Sequence, residues 1–196
     1  MLTLTPKIQK GIIKATQLHW DEKRKVGHLP YIIHPYSVAF IVSRYTDDED
    51  TIVGALLHDV LEDVNKDIYS DKEMIKDFGN HVYEIVKGVS EIKDASMTKA
   101  EKKRTWLSRK RKYLKRLKNS SQGSLIVSAA DKIHNLQSII NAYSKQGEII
   151  FSKFNSSIDK SLWFYGEVLK IMKQKLKNNI VNELETIYSQ ALRIFK

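Results

Sequence analysis

The stretch ALLHDVLEDV, residues 55–64, sets His58, Asp59, Glu62 and Asp63 into an otherwise apolar, helix-forming run. His58 and Glu62 are four residues apart, as are Asp59 and Asp63. On a continuous α-helix that spacing stacks each pair on roughly one face. A helix that buries its apolar side has little use for three carboxylates and an imidazole together. A cation to be held and a water to be activated are the chemistry these groups could serve.

Two further places carry compatible groups. In SAADKIHN, Asp131 and Asn135 lie four apart on one helical face, and the small, apolar run LIVSAA before Asp131 marks its segment as buried. A buried carboxylate needs a partner charge or a metal. His34 stands between YII and Pro35, at the start of a helix. A divalent cation wants several nitrogen or oxygen ligands with a position left open for water. Each group alone has a plainer reading. His34 would be a cap or packed core residue, Asp131 an ion-pair partner, and Glu62 with Asp63 a solvated helix end. The joint pattern is the specific signal: a His, then HD with ED three residues on, then a helical Asp with Asn four later.

The elements that must position these groups read as helices. The chain has 196 residues with eight glycines and three prolines, Pro6, Pro30 and Pro35, and none beyond Pro35. Helix-period apolar residues without interruption argue for an all-α fold. One helix is expected over about residues 5–20, and a second from Pro35 at its first position. A third carries the HD–ED run behind an acidic start at Asp47–Asp50, which suits its dipole. A fourth covers about 70–78, a fifth follows Gly79, a basic helix spans 98–118, and NSSQG is a loop. A long buried helix then holds Asp131, and one or two helices cover 155–194. The reading is a single domain over 1–196, with the motif core at about 19–140 and the C-terminal helices packed on it.

With 42% hydrophobic residues the chain can bury a core, and the absence of cysteine excludes disulfides and thiolate metal sites. No signal peptide and no membrane span is expected, which fits a cytoplasmic protein. The formal charge of +10 is compatible with nucleic acid, phosphorylated small molecules or acidic membranes, without choosing among them.

Taken together, the pieces RKVGHLPYIIHPYSVA, ALLHDVLEDV, FGNHVYEIVKGVSEI and SAADKIHNL resemble, in order, the HD-domain metal-dependent phosphohydrolases. Among those they closely resemble the RelA/SpoT-type alarmone hydrolase domain in its stand-alone small form. The resemblance implies an HD-domain helical bundle in which His34, His58, Asp59 and Asp131 bind one divalent metal, usually manganese (Mn2+). It implies that Glu62 and Asp63 position and deprotonate the attacking water. Arg24 and Lys25 would lie near the guanine base and phosphates, and Asn135 near the ribose and its phosphate. His28, Tyr31 and Lys93 would form the pocket rim. The implied reaction removes the 3′-pyrophosphate of guanosine tetra- or pentaphosphate, giving GDP or GTP and pyrophosphate. A metal there would polarise the phosphoryl group and lower the pKa of a water. The alternatives are an HD-type nucleotidase or phosphatase acting on a deoxynucleotide or NADPH, and a non-enzymatic module with a vestigial site.

Several positions depart from the family pattern. Asp21 and Glu22 replace Gly-Gln, Val64 replaces Thr, Ser90-Glu91 stands in the usual Thr-Lys place, and Lys132 replaces Arg. None is a metal ligand or one of the acidic pair, so they bear on base selectivity. The C-terminal segment FNSSIDKSLWFYGEVL is unlike the long bifunctional enzymes, and Lys160 or Tyr165 could reach a phosphate from it. The synthetase and regulatory domains of the long forms do not fit in this length. In KAEKKRTWLSRKRKYLKRLK, Trp106, Leu107, Tyr113, Leu114 and Leu117 form an apolar stripe. Its basic face reads first as a solvated surface, then as an attractor for a polyanionic nucleotide. Nucleic-acid contact ranks last, since no recognised motif supports it.

Overall fold

Short polar side chains open most of the helices. Thr5 accepts from the Ile8 N–H, Asp48 from Thr51, Ser121 from Ser124 and Ser157 from Lys160. Ser70 with Glu73 and Thr98 with Glu101 form reciprocal capping boxes. The computed structural model describes residues 3–24, 27, 29–91, 97–153 and 156–195. Within them the elements are α1 Pro6–Leu18, α2 Ile33–Val42, α3 Glu49–Leu56, α4 Val60–Asp63, α5 Asp71–Phe78 and α6 Asn80–Val89. The basic helices α7 Lys99–Arg104 and α8 Trp106–Leu117 follow. The long helix α9 Gln122–Gln146 leads into a 3-10 segment, Gly147–Lys153, and then α10 Ile158–Lys175 and α11 Ile180–Phe195. The only extended pairing among the described residues is an isolated antiparallel bridge between Lys23 and Pro30. The fold is all-α, as the sequence implies, and among the described residues no helix is long and apolar enough to cross a membrane.

Helix α9 is the axis, lying against α2, α3, α6, α10 and α11. Two glycines let its neighbours come close. A Cβ on Gly54 of α3 would sit 2.6 Å from the Ile85 side chain of α6, and one on Gly123 would sit 2.7 Å from Thr51 Oγ1 of α3. Contacts that tight leave no room for a methyl group. The apolar residues of this junction, among them Val53, Ile85, Leu125 and Val127, are fully or almost fully buried.

The structure corrects four local expectations. Helix α2 begins at Ile33, so Pro35 stands third in the helix rather than first. It still lies within the first turn, where its missing N–H costs no bond. The expected third helix is interrupted between α3 and α4, with His58 and Asp59 in the break. The basic helix divides at Thr105, and Leu107 of its apolar stripe is 37% exposed while Trp106, Tyr113, Leu114 and Leu117 are buried. The loop before α9 is shorter than NSSQG, since Gln122 and Gly123 are already helical.

Candidate metal centre

The break after α3 has a local cause. The His58 ring places Nδ1 2.8 Å from the Ala55 carbonyl. In a continuous helix that oxygen would accept the Asp59 N–H. The side chain takes it instead, and the chain turns by bonds three residues apart, from Val60 N–H to Leu57 and from Glu62 N–H to Asp59. This turn replaces the helical stacking of His58 on Glu62. It points His58 and Asp59 inward together and then restarts as α4, which carries Glu62 and Asp63.

Four acceptor atoms from three separate parts of the chain meet there. His58 Nε2 lies 3.0 Å from Asp59 Oδ2, 3.2 Å from His34 Nε2 and 3.9 Å from Asp131 Oδ1. His34 Nε2 lies 3.2 Å from Asp131 Oδ1 and 3.6 Å from Asp59 Oδ2. Ligand atoms each about 2.1 Å from one ion are separated by about 3–3.5 Å, so the spacing of His34, His58 and Asp59 suits a single cation, with Asp131 placed against the two imidazoles beside it. The tautomers agree. A proton on His58 Nδ1, donated to Ala55, leaves Nε2 with a lone pair aimed at three other acceptors. Two imidazoles with carboxylates beside them are a donor set that suits a transition-type divalent ion.

The electrostatics show the same demand. Burial pulls the His34 imidazole down, while Asp131 opposes it. For His58 burial acts the same way, but Asp59 and then Asp131 outweigh it and push the ring up to about 9. Burial would raise Asp59, yet His58 and His34 hold it well below the usual carboxylate range. Asp131 is likewise held low against burial, by Lys132 and the two imidazoles.

A second layer fixes these groups. Tyr31 donates its hydroxyl to Asp59 Oδ2. Asn135 donates its amide to Asp131 Oδ1 and accepts from the Arg24 guanidinium at 3.2 Å, and Arg24 stacks over the Tyr31 ring. Lys132 pairs with Asp131 Oδ2. His134 was not singled out from the sequence, yet its Nδ1 lies 2.7 Å from His34 Nδ1. Burial, with His34 beside it, lowers His134 to about 4, so it stays neutral and can accept the His34 proton. The signal for it was its place three residues after Asp131, on the same face of α9.

These residues floor a cavity of about 840 Å³. Glu62, Asp63, Arg24, Tyr31 and Asn135 line it, as does Tyr165, whereas Lys160 is exposed and does not. Lys25, His28 and Lys93 lie outside the described residues. The basic helix contributes more than a solvated face. The Glu91 backbone N–H donates to Glu62 Oε2 at 2.7 Å, and the buried Glu91 carboxylate pairs with both Arg109 and Lys110 of α8. Arg116 reaches the Ser90 carbonyl beside it.

A family model described as HD domain matches residues 12–156. Over 133 residues, 67% of this chain, the sequence is 32% identical to the guanosine-3′,5′-bis(diphosphate) 3′-pyrophosphohydrolase of Borreliella burgdorferi. Over 184 residues, 93% of this chain, it is 28% identical to the protein of the same name from Aquifex aeolicus. The chain spans 19% and 20% of the length of these two relatives. Among solved structures, a metazoan ortholog of SpoT that hydrolyses ppGpp superposes with a TM-score of 0.74 at 25% identity, covering 97% of this chain and 98% of that one. A protein of Listeria monocytogenes EGD-e shares the fold, with a TM-score of 0.67 over 86% of this chain and 98% of that one, at 24% identity.

Proposed function

The chain belongs to the HD-domain family, and from that premise we propose that it is a metal-dependent hydrolase removing the 3′-pyrophosphate of guanosine tetra- or pentaphosphate. The observation that carries this reading is the meeting of His34, His58 and Asp59, with Asp131 against the two imidazoles, in a cavity whose walls hold Arg24, Lys110 and Lys132. The names of the similar proteins supply the substrate, and the site supplies a chemistry consistent with it. We also infer that residues 1–196 act as one domain and that the ion is of the manganese type.

The ion would polarise a phosphoryl oxygen and lower the pKa of a water. The protein does the rest. Water oxygen attacks the phosphorus attached to the ribose 3′-oxygen, that P–O bond breaks, and the water oxygen leaves on pyrophosphate. Glu62 or Asp63 takes the water proton. The Glu91 N–H holds Glu62 in one orientation, with one carboxylate oxygen fixed. A proton returned to the 3′-oxygen completes GDP or GTP. Arg24 offsets phosphate charge, and its planar group can also stack on a base. Asn135 ties Arg24 to the metal ligand Asp131, so substrate position and metal position are coupled.

The test is a substrate panel on purified, manganese-loaded protein: guanosine tetraphosphate, a deoxynucleoside triphosphate and NADPH, with bound metal measured. Release of pyrophosphate from the alarmone, lost on chelation, is the expected result. Hydrolysis of NADPH or the deoxynucleotide with none of the alarmone would replace the substrate and keep the metal chemistry.

A further inference from the structure

Two lysines that the reaction above does not use line the cavity beside one aromatic ring. Lys110 of α8 and Lys132 of α9 both line it. Both ammonium groups sit over the same buried ring, Phe164 of α10, at 4.6 Å and 5.6 Å from its centroid. Each has a second ring as well: Trp106 for Lys110 at 5.9 Å and Tyr113 for Lys132 at 5.0 Å. Each is also anchored to a buried carboxylate, Lys110 to Glu91 and Lys132 to Asp131. Glu91 is 4% exposed and Lys132 8%, while the Lys110 side chain keeps 21% of its surface exposed.

Burying ammonium groups is costly unless something compensates them. Carboxylates and ring faces do so here, but orienting Asp131 would require Lys132 alone. The second cation comes from a different helix, on a different carboxylate, and still ends at the same ring. Its anchor Glu91 is already paired with Arg109, which is not among the cavity-lining residues. A desolvated ammonium is a strong point-charge partner for phosphate oxygens.

Asp131 shows which part of a substrate would meet them. Its Oδ1 faces His34 and Asn135, and through Asn135 Arg24, whereas its Oδ2 faces Lys132. A phosphate at the metal centre thus has Arg24 on one flank and the lysine pair, next to Glu91 and Glu62, on the other. We propose that Lys110 and Lys132 form a paired-ammonium subsite for the distal phosphate of a 3′-diphosphate, selecting diphosphate over monophosphate. This rests on the hydrolase reading above for its substrate, and on the geometry alone for its site.

The test uses the full chain loaded with manganese, and inorganic pyrophosphate and orthophosphate as probes in calorimetry. Wild type binds pyrophosphate more tightly than orthophosphate. Lys110→Met weakens pyrophosphate by about tenfold, the scale of one lost charged hydrogen bond, and leaves orthophosphate and metal content unchanged. Lys110→Arg keeps most of the preference. Equal pyrophosphate affinity in wild type and a folded, metal-replete Lys110→Met overturns the proposal, as does an equal loss for both anions. A readout on wild type avoids any folding defect: saturating pyrophosphate shields Lys110 from acetylation, while exposed Lys170 still reacts. Absence of that shielding also overturns it. Alarmone turnover on the same preparations separates the two readings. Pyrophosphate binding through Lys110 without alarmone hydrolysis removes the substrate assignment and keeps the subsite. Hydrolysis with binding indifferent to Lys110 does the reverse.

Discussion

The two flanks of Asp131 are built differently. On the Oδ1 side the cation is Arg24, half-buried, carried by a loop that a single bridge between Lys23 and Pro30 closes, and held by Asn135 and the Tyr31 ring. On the Oδ2 side the cations are Lys132 and Lys110, seated on Phe164 in the packed junction of α8, α9 and α10. A loop side chain can be exchanged with little effect on packing, because few buried contacts depend on it. Lys132 cannot, because Asp131 would lose its buried cation, whereas Glu91 keeps Arg109 when Lys110 is changed. The difference separates what the site can vary from what it must keep. The charge on the Arg24 side is adjustable, while that on the lysine side is tied to the fold.

The largest expected effect comes from the residue that both flanks share. Asp131→Ala removes one of the four converging acceptors and leaves Lys132 buried without its carboxylate. Bound metal should fall to background in elemental analysis and hydrolysis should vanish with it. The unpaired lysine should cost about 3–5 kcal/mol of stability, read in a denaturant titration. Full metal content in this variant would mean that the cluster is not the metal site, and the comparison of flanks would lose its centre.

His134→Phe should act more weakly, and on the metal alone. It keeps a ring against His34 but removes the nitrogen at 2.7 Å that fixes the His34 tautomer. Loss of such a supporting partner typically costs about 10–100-fold in metal affinity. Competition with a chelator should show that loss, and excess manganese should restore turnover. Unchanged affinity would mean that His34 needs no help in presenting Nε2.

How much of this was legible in the sequence follows from how local each signal is. The four converging residues each sit in a short motif, IIHP, HD or SAAD, and it was the family resemblance carried by those motifs together that implied them as a set. The same resemblance implied Asn135 and Tyr31 at the pocket, and both line the cavity. The break between α3 and α4 was not, since no glycine or proline marks it and its cause is the His58 ring reaching Ala55. Glu91 read only as a departure from a pattern. Its role depends on Arg109 and Lys110, which lie beyond α7, in a basic run whose charges look alike until packing buries some of them. Sequence spacing shows which residues share a helix face, but not which solvated-looking charge the tertiary fold will enclose.

The smallest effect tests the comparison most directly. Arg24→Met keeps much of the side chain's length and apolar stem but removes the charge and the bond to Asn135. Because Arg24 lies in the loop, stability should stay within about 0.5 kcal/mol of wild type, as for a surface substitution. Losing one charged contact should raise KM for the alarmone by about tenfold, with metal content unchanged and kcat reduced less than KM is raised. Combined with Lys110→Met, the two losses should multiply if the flanks grip different parts of one substrate, since separated groups with no shared partner act additively in free energy. A double variant no worse than the more impaired single one would show that Arg24 and Lys110 hold the same phosphate. The cavity would then have one cationic pole instead of two.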